Sequence, residues 1–274
     1  MLRSPVILAA LVCLCTAVQA MEPIAEIPVS IKRSLPMIPV RVAGVPLSLM
    51  FDLGGSSAIT LTPNEARRAK VKVDGSLALT ANVIGETRSE QTFIADNVAI
   101  DRLRLENVSG HIVRCGQYAP PHRGGSIGFS AVSDYLLVID YPMHRLRLYR
   151  SGDADALASE CPGPTFAANY SDGIFGSIGE TTFGPARLLW DTGASSNLIH
   201  PHLLQPTNAH PRTIDGGPPV VDVEHLAIGS TVLPPQRFRV FPFAEPPVDA
   251  FLGTPFFLNR KVCFDIPLGK AAIK

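Results

Sequence analysis

Short apolar runs and stretches that alternate apolar with polar residues dominate the chain beyond residue 20. Residues 29–31, 38–42, 97–105 and 237–243 read as strands on this pattern. Gly44, Gly85, Gly110, Gly184 and the pair Gly216-Gly217 punctuate the runs and read as turns. A short helix is expected at residues 63–69, with Thr62 as its N-cap. One or two further helical turns are expected at 153–160.

The pattern occurs twice. Met50-Phe-Asp-Leu-Gly-Gly-Ser-Ser57 matches Leu189-Trp-Asp-Thr-Gly-Ala-Ser-Ser196, and each follows a short apolar run. Ile127-Gly128 matches Leu252-Gly253, and from there residues 127–148 align with 252–273 without a gap. Asp140 and Asp265 end equivalent apolar runs within that alignment. Val98-Ala-Ile100 matches Leu226-Ala-Ile228 more weakly. Three matches in the same order indicate a duplicated unit. The expected organisation is a first unit at 21–150, a linker at 151–164 rich in Ser, Asp, Ala, Gly and Pro, and a second unit at 165–274.

Composition agrees with a folded, β-rich chain. Hydrophobic residues make up 46% and charged residues 18%, which is enough apolar surface to drive folding. The 25 prolines and 22 glycines suit many short strands and tight turns better than long helices. The net charge is zero, so no basic stripe points to a nucleic-acid partner. Residues 1–20 read as a signal peptide. Arg3 supplies the positive start, an apolar run covers 6–18, and Val18-Gln19-Ala20 offers a cleavage site. An exported protein, periplasmic or secreted, is expected, with no transmembrane segment once the signal is removed. Cys115, Cys161 and Cys263 then remain. Cys263 lies in a run that reads as a buried strand. Cys115 and Cys161 both fall at segment ends and are the expected disulfide pair, a choice that spacing alone does not settle.

An Asp-x-Gly turn at the end of a buried apolar strand projects a carboxylate from a fixed base. The glycine allows a tight turn and close backbone approach. Two such turns facing each other bring two carboxylates together, and one then keeps its proton. Such a pair draws a proton from an attacking water and donates one to the substrate carbonyl.

These motifs resemble those of the aspartic protease superfamily, above all retropepsin-like aspartyl proteases, bacterial exported ones included. The resemblance covers nearly all of the mature chain. It implies an all-β acid protease fold, in which two pseudo-two-fold-related retropepsin-like β-barrel units flank a central cleft. It further implies Asp52 and Asp191 as the catalytic pair, with Gly54 and Gly193 shaping the substrate-facing turns. Ile127, Gly128, Leu252 and Gly253 would support the loops from beneath. Hairpin flaps would carry Ile84 and Gly85 in the first unit and Gly216 and Gly217 in the second. The substrate would be a peptide or unfolded protein bound in extended form as an added strand. No cofactor and no metal are expected, and one chain suffices for the site.

One position departs from the family pattern. Thr192 keeps the hydroxyl that crosses to the partner turn, but Leu53 replaces its counterpart. Loss of one such hydrogen bond is worth about 0.5–1.5 kcal/mol, yet a misplacement near 1 Å costs roughly a hundredfold in rate. The alternative is therefore a catalytically impaired module of the same fold that binds peptide or a partner protein. Three other features carry less. Gly124-Gly-Ser-Ile-Gly128 matches a nucleophile elbow at Ser126, but Phe251 stands at the equivalent place in the second unit. His200, His202 and His210 read as surface histidines rather than metal ligands. Asp140 and Asp265 read as strand-end residues that satisfy backbone groups.

Overall fold

The computed structural model describes residues 22–81, 85–114, 124–207, 209–243 and 248–274. The segment read as a signal peptide, together with Cys115 and Ile84, lies outside them. The chain is mostly β, as expected, and its strands form three sheets.

Each half builds its own curled sheet around the same connection. In the first half, Val45–Asp52 runs parallel to Gly125–Gly128, with Phe51 opposite Ile127 and Asp52 opposite Gly128. Ile59–Leu61 returns antiparallel on the other side of Gly125–Gly128, and Leu103–Ile112 continues the sheet parallel to Ile59–Leu61. In the second half, Gly184–Trp190 runs parallel to Ala250–Leu252, with Trp190 opposite Leu252. Leu198–Ile199 again returns antiparallel, and Gln236–Val240 again follows in parallel. The carboxylate-bearing turn thus joins two strands that flank a third, central one. That third strand is short and buried throughout, Gly-Ser-Ile-Gly in the first half and Ala-Phe-Leu in the second.

The third sheet joins the halves. Its order is Ala25–Pro28, Arg145–Arg150, Tyr135–Asp140, Lys261–Asp265, Lys270–Ile273 and Phe166–Ala167, so three strands come from each half. Across its middle, Val138 lies directly opposite Cys263. The gapless alignment of 127–148 with 252–273 makes these two residues each other's equivalents. The pseudo-two-fold axis therefore passes between Val138 and Cys263.

Side-chain alternation splits this sheet between two cores. Leu137, Ile139, Leu146, Leu148, Val262 and Phe264 face the main core. Leu136, Val138, Tyr149, Cys263 and Ala272 face the opposite way, where the Ala154–Glu160 helix covers them with Ala156 and Leu157. Asp153 caps that helix by accepting from the Ala156 amide at 2.8 Å. Asp140 makes ion pairs with Arg147 and Lys261. Asp265 accepts from the Ser151 hydroxyl at 2.6 Å and the Gly152 amide at 2.9 Å, in line with a strand-end role.

Three expectations need correction. The disulfide joins Cys161 to Cys263, not to Cys115. Cys263 is indeed in a buried strand, but it points away from the main core towards the end of the helix that carries Cys161. The strand expected at 97–105 is two strands, Thr87–Ile100 and Leu103–Ile112, turned at Asp101 with φ 53°. Gly110 is no turn but lies inside Leu103–Ile112, where a Cβ would stand 2.5 Å from the Ile59 carbonyl and 2.6 Å from the Phe93 ring. Its smallness admits a neighbouring strand rather than a bend. The Pro63–Ala69 helix with its Thr62 cap forms as expected.

Candidate active site

The two Asp-x-Gly turns meet at the axis. A Cβ built on Gly54 would lie 2.6 Å from the Asp191 Cγ, and one built on Gly193 would lie 2.5 Å from the Asp52 Cγ. Each carboxyl therefore rests on the glycine of the opposite turn. Only glycine leaves room for it there.

Each turn also holds its own carboxylate. Asp191 Oδ1 accepts from the Gly193 amide at 2.9 Å and the Ala194 amide at 3.0 Å. Asp52 Oδ1 accepts from the Gly55 amide at 3.1 Å. The Asp191 amide is anchored on the Leu252 carbonyl at 3.0 Å. Both aspartates keep part of their surface accessible, so water reaches the pair. The surrounding loops nonetheless strip most solvent from Asp191. That desolvation, the Asp52 charge and a hydrogen bond between the two carboxyls push its pKa up to about 8, against the pull of its two amide donors. Two carboxyls this close titrate as a unit.

The hydrophobic-Gly pairs lie against the loops that follow the two turns. A Cβ on Gly128 would fall 2.2 Å from the Ser57 carbonyl, and one on Gly253 would fall 2.3 Å from the Ser196 carbonyl. Ile127 and Leu252 are fully buried beside them. Behind Asp191, Trp190 is enclosed by Phe256 and Phe264 at centroid distances of 5.6 and 5.1 Å. Its indole donates to the Ser177 hydroxyl at 3.0 Å. An aromatic anchor with a satisfied N–H fixes the strand end that carries the carboxylate.

The hydroxyl crossing is one-sided. Thr192, wholly buried, donates to the Phe51 carbonyl at 2.8 Å and accepts from the Leu53 amide at 2.9 Å. Leu53 is equally enclosed, and its side chain can return neither bond. Sequence reading missed two residues that brace the second turn. Asn197 accepts from the Gly253 amide at 2.9 Å through its side chain. The Thr254 hydroxyl donates to the Thr192 carbonyl at 2.7 Å. Neither belongs to a repeated motif, since Ala58 and Phe129 stand at the matching positions, so comparison of the halves gave no signal.

The remaining candidates fall elsewhere. Gly85, with φ 79°, lies in the turn between Lys72–Ala81 and Thr87–Ile100. Gly216, with φ 69°, and Gly217 lie in the turn between Arg212–Thr213 and Pro219–Val223. Ser126 is a buried strand residue bonded to the Thr60 hydroxyl at 2.8 Å, not an elbow. His202 bonds to Asp249 at 2.6 Å and stacks beside His200. Among the described residues no cluster of His, Cys, Asp or Glu is arranged to hold a metal ion.

Comparison with known proteins agrees with this geometry. Residues 38–131 match a family model described as aspartyl protease. No curated protein sequence matches the chain. The crystal structure of an aspartic proteinase from Irpex lacteus superposes with a TM-score of 0.62 at 12% identity, covering 91% of this chain and 96% of that one. Basic 7S globulin from soybean superposes with a TM-score of 0.60 at 10% identity, covering 91% and 94%. At such identities the likeness establishes the fold. The family match over residues 38–131, within the first unit, supports an assignment to the aspartic protease superfamily.

Proposed function

We propose that the protein is an aspartic endopeptidase that hydrolyses peptide bonds through a water activated by Asp52 and Asp191. The observation that carries this reading is the seating of each carboxyl on the other turn's glycine. It leaves one proton between the two groups. The ionised carboxylate takes a proton from the attacking water, and the protonated one donates to the substrate carbonyl oxygen. The raised Asp191 keeps that single-proton state up to about pH 8. Extended peptide would lie between the hairpin turns at Gly85 and at Gly216-Gly217, bound through its backbone. Export to the periplasm or beyond fits the N-terminal sequence, and the Cys161–Cys263 disulfide supports an oxidising compartment. No helix among the described residues is long and apolar enough to cross a membrane.

Leu53 favours a second reading, in which the same cleft binds peptide or a partner protein without cleaving it. A peptide-library digest from pH 4 to 8 separates the two, using wild type, Asp52→Asn and Asp191→Asn. Cleavage by wild type alone, blocked by a statine-type inhibitor, is the expected result. Absence of cleavage, with equal peptide binding by all three proteins, would establish the binding module instead.

A further inference from the structure

Residues paired side by side across a sheet point to the same face, as do residues two apart along a strand. In the first half one such row runs through Met50, Ser126, Thr60, His111 and Thr92. Met50 stands two residues before Asp52, so the row lies on the face that carries the carboxylate. The second half builds the same row from Leu189, Phe251, Leu198, Arg239 and Val220. Leu189 likewise stands two residues before Asp191. The two rows differ in chemistry. Phe251 and Leu198 belong to an apolar cluster with Phe243, separate from the main core. Their counterparts Ser126 and Thr60 are a hydroxyl pair, 2.8 Å apart.

The polar row is incompletely satisfied. The Thr60 hydroxyl oxygen also accepts from the Ser126 amide at 3.0 Å. The two hydroxyls hold two protons and share one bond, so one proton has no acceptor among the described residues. On the next strand, Nδ1 of His111 is buried without a hydrogen-bond partner, and so is Oε2 of Glu90. Glu90 lies two residues before Thr92, on the same face and diagonal to His111. Buried polar atoms are nearly always paired, so a spare donor and unmet polar atoms gathered on one face point to a ligand that completes them. His111 borders an open recess of about 680 Å³ that Ser57, Ser109 and Ser130 also line, so its ring can be reached.

A side chain that meets this set must accept one proton and donate at least one. A carboxamide does both from a single planar group. A lysine or arginine only donates and leaves the hydroxyl proton unmet. A carboxylate only accepts and would stand against Glu90. Neighbouring strands lie about 4.8 Å apart and extended peptide advances about 3.3 Å per residue, which brings Ser126 to His111 within about four residues of a bond cut at Asp52.

We propose that Ser126, Thr60, His111 and Glu90 form a polar specificity site that selects a glutamine or asparagine side chain of the substrate, on one side of the scissile bond. Phe251 and Leu198 hold an apolar side chain on the other side. This rests on the reading of Asp52 and Asp191 as the catalytic pair.

The test is a peptide series in which each position near the cleaved bond carries Gln, Leu, Lys or Glu in turn. Wild type is expected to favour Gln over Leu in kcat/KM by at least about tenfold at one position, and to favour Leu across the bond. Thr60→Val combined with His111→Leu should erase the Gln preference, a ratio that general loss of rate does not move. If that double variant fails to fold by circular dichroism, Thr60→Val alone, which keeps the side-chain shape, should lower the ratio about threefold. Absence of a Gln preference at every position, a stronger preference for Lys or Glu there, or an unchanged ratio in the variant overturns the proposal. If wild type cleaves no peptide, the peptidase reading fails separately, and fluorescence-anisotropy binding of the same peptides decides. Tighter binding of a Gln peptide that Thr60→Val weakens then supports the site, and equal binding of the Gln and Leu peptides refutes it.

Discussion

The Leu53 amide donates to the Thr192 hydroxyl at 2.9 Å, across the boundary between the two halves. The same hydroxyl passes its proton to Phe51 at 2.8 Å, so one side chain ties both ends of the residue that precedes the turn's leucine, Asp52. Thr192→Val removes both ties and leaves a buried amide and a buried carbonyl without this partner. A stability loss of about 1–3 kcal/mol follows, read by denaturant unfolding. The rate constant for peptide cleavage should fall at least tenfold at unchanged substrate affinity.

Gly54 and Gly193 are the most sensitive positions in the site. Alanine at either would drive its methyl into the opposite carboxyl, at 2.6 Å for Gly54 and 2.5 Å for Gly193. Each substitution should abolish cleavage while the protein still folds, because the collision moves side chains at an accessible cleft. Near-native circular dichroism with no turnover is the expected result. Activity retained in Gly193→Ala would show that the carboxyls do not meet as described.

The pH dependence follows from Asp191. Its pKa is raised from 3.8 to about 8, so the stability linked to its protonation is full below 3.8 and is lost as pH rises through about 8. Asp191→Asn removes this dependence. Wild type should therefore lose melting temperature relative to the variant between pH 4 and 8, by roughly 2–4 °C for each kcal/mol lost. Peptidase activity should decline on the alkaline side over the same range. Parallel melting curves for the two proteins across that range would contradict the raised value.

Cys161 and Cys263 are separated by 102 residues in sequence. A cross-link over that distance restrains the unfolded chain and is worth about 2–4 kcal/mol. Cys161→Ala combined with Cys263→Val should lower the melting temperature by on the order of 10 °C. The cleft chemistry should persist, since the bridge lies on the sheet face opposite the main core.

The parts of the site legible in the sequence were those encoded locally and written twice. Asp52 and Asp191, their glycines, and the Ile127-Gly128 and Leu252-Gly253 pairs are contiguous motifs in a fixed order. What could not be read depends on which face of a strand meets which neighbour. The period-two pattern marks Cys263 as buried but does not say against which layer, so its partner was misassigned. Gly110 looks like a turn from composition alone, because the Phe93 ring that requires it comes from another strand. The turn at Asp101 carries neither glycine nor proline, so the apolar pattern ran through it.

Val138 and Cys263 face each other on the pseudo-two-fold axis. In an assembly of two identical chains, whatever stood at that point would confront its own copy, and every change there would be made twice. A single continuous chain is free of that constraint. One occupant remains a small aliphatic residue, while the other bonds to the end of the helix that connects the halves. The same freedom lets a leucine answer a threonine across the cleft floor. Fusion thus allows the two sides of one site to specialise, with one supplying the rigid frame and the other adapting to it.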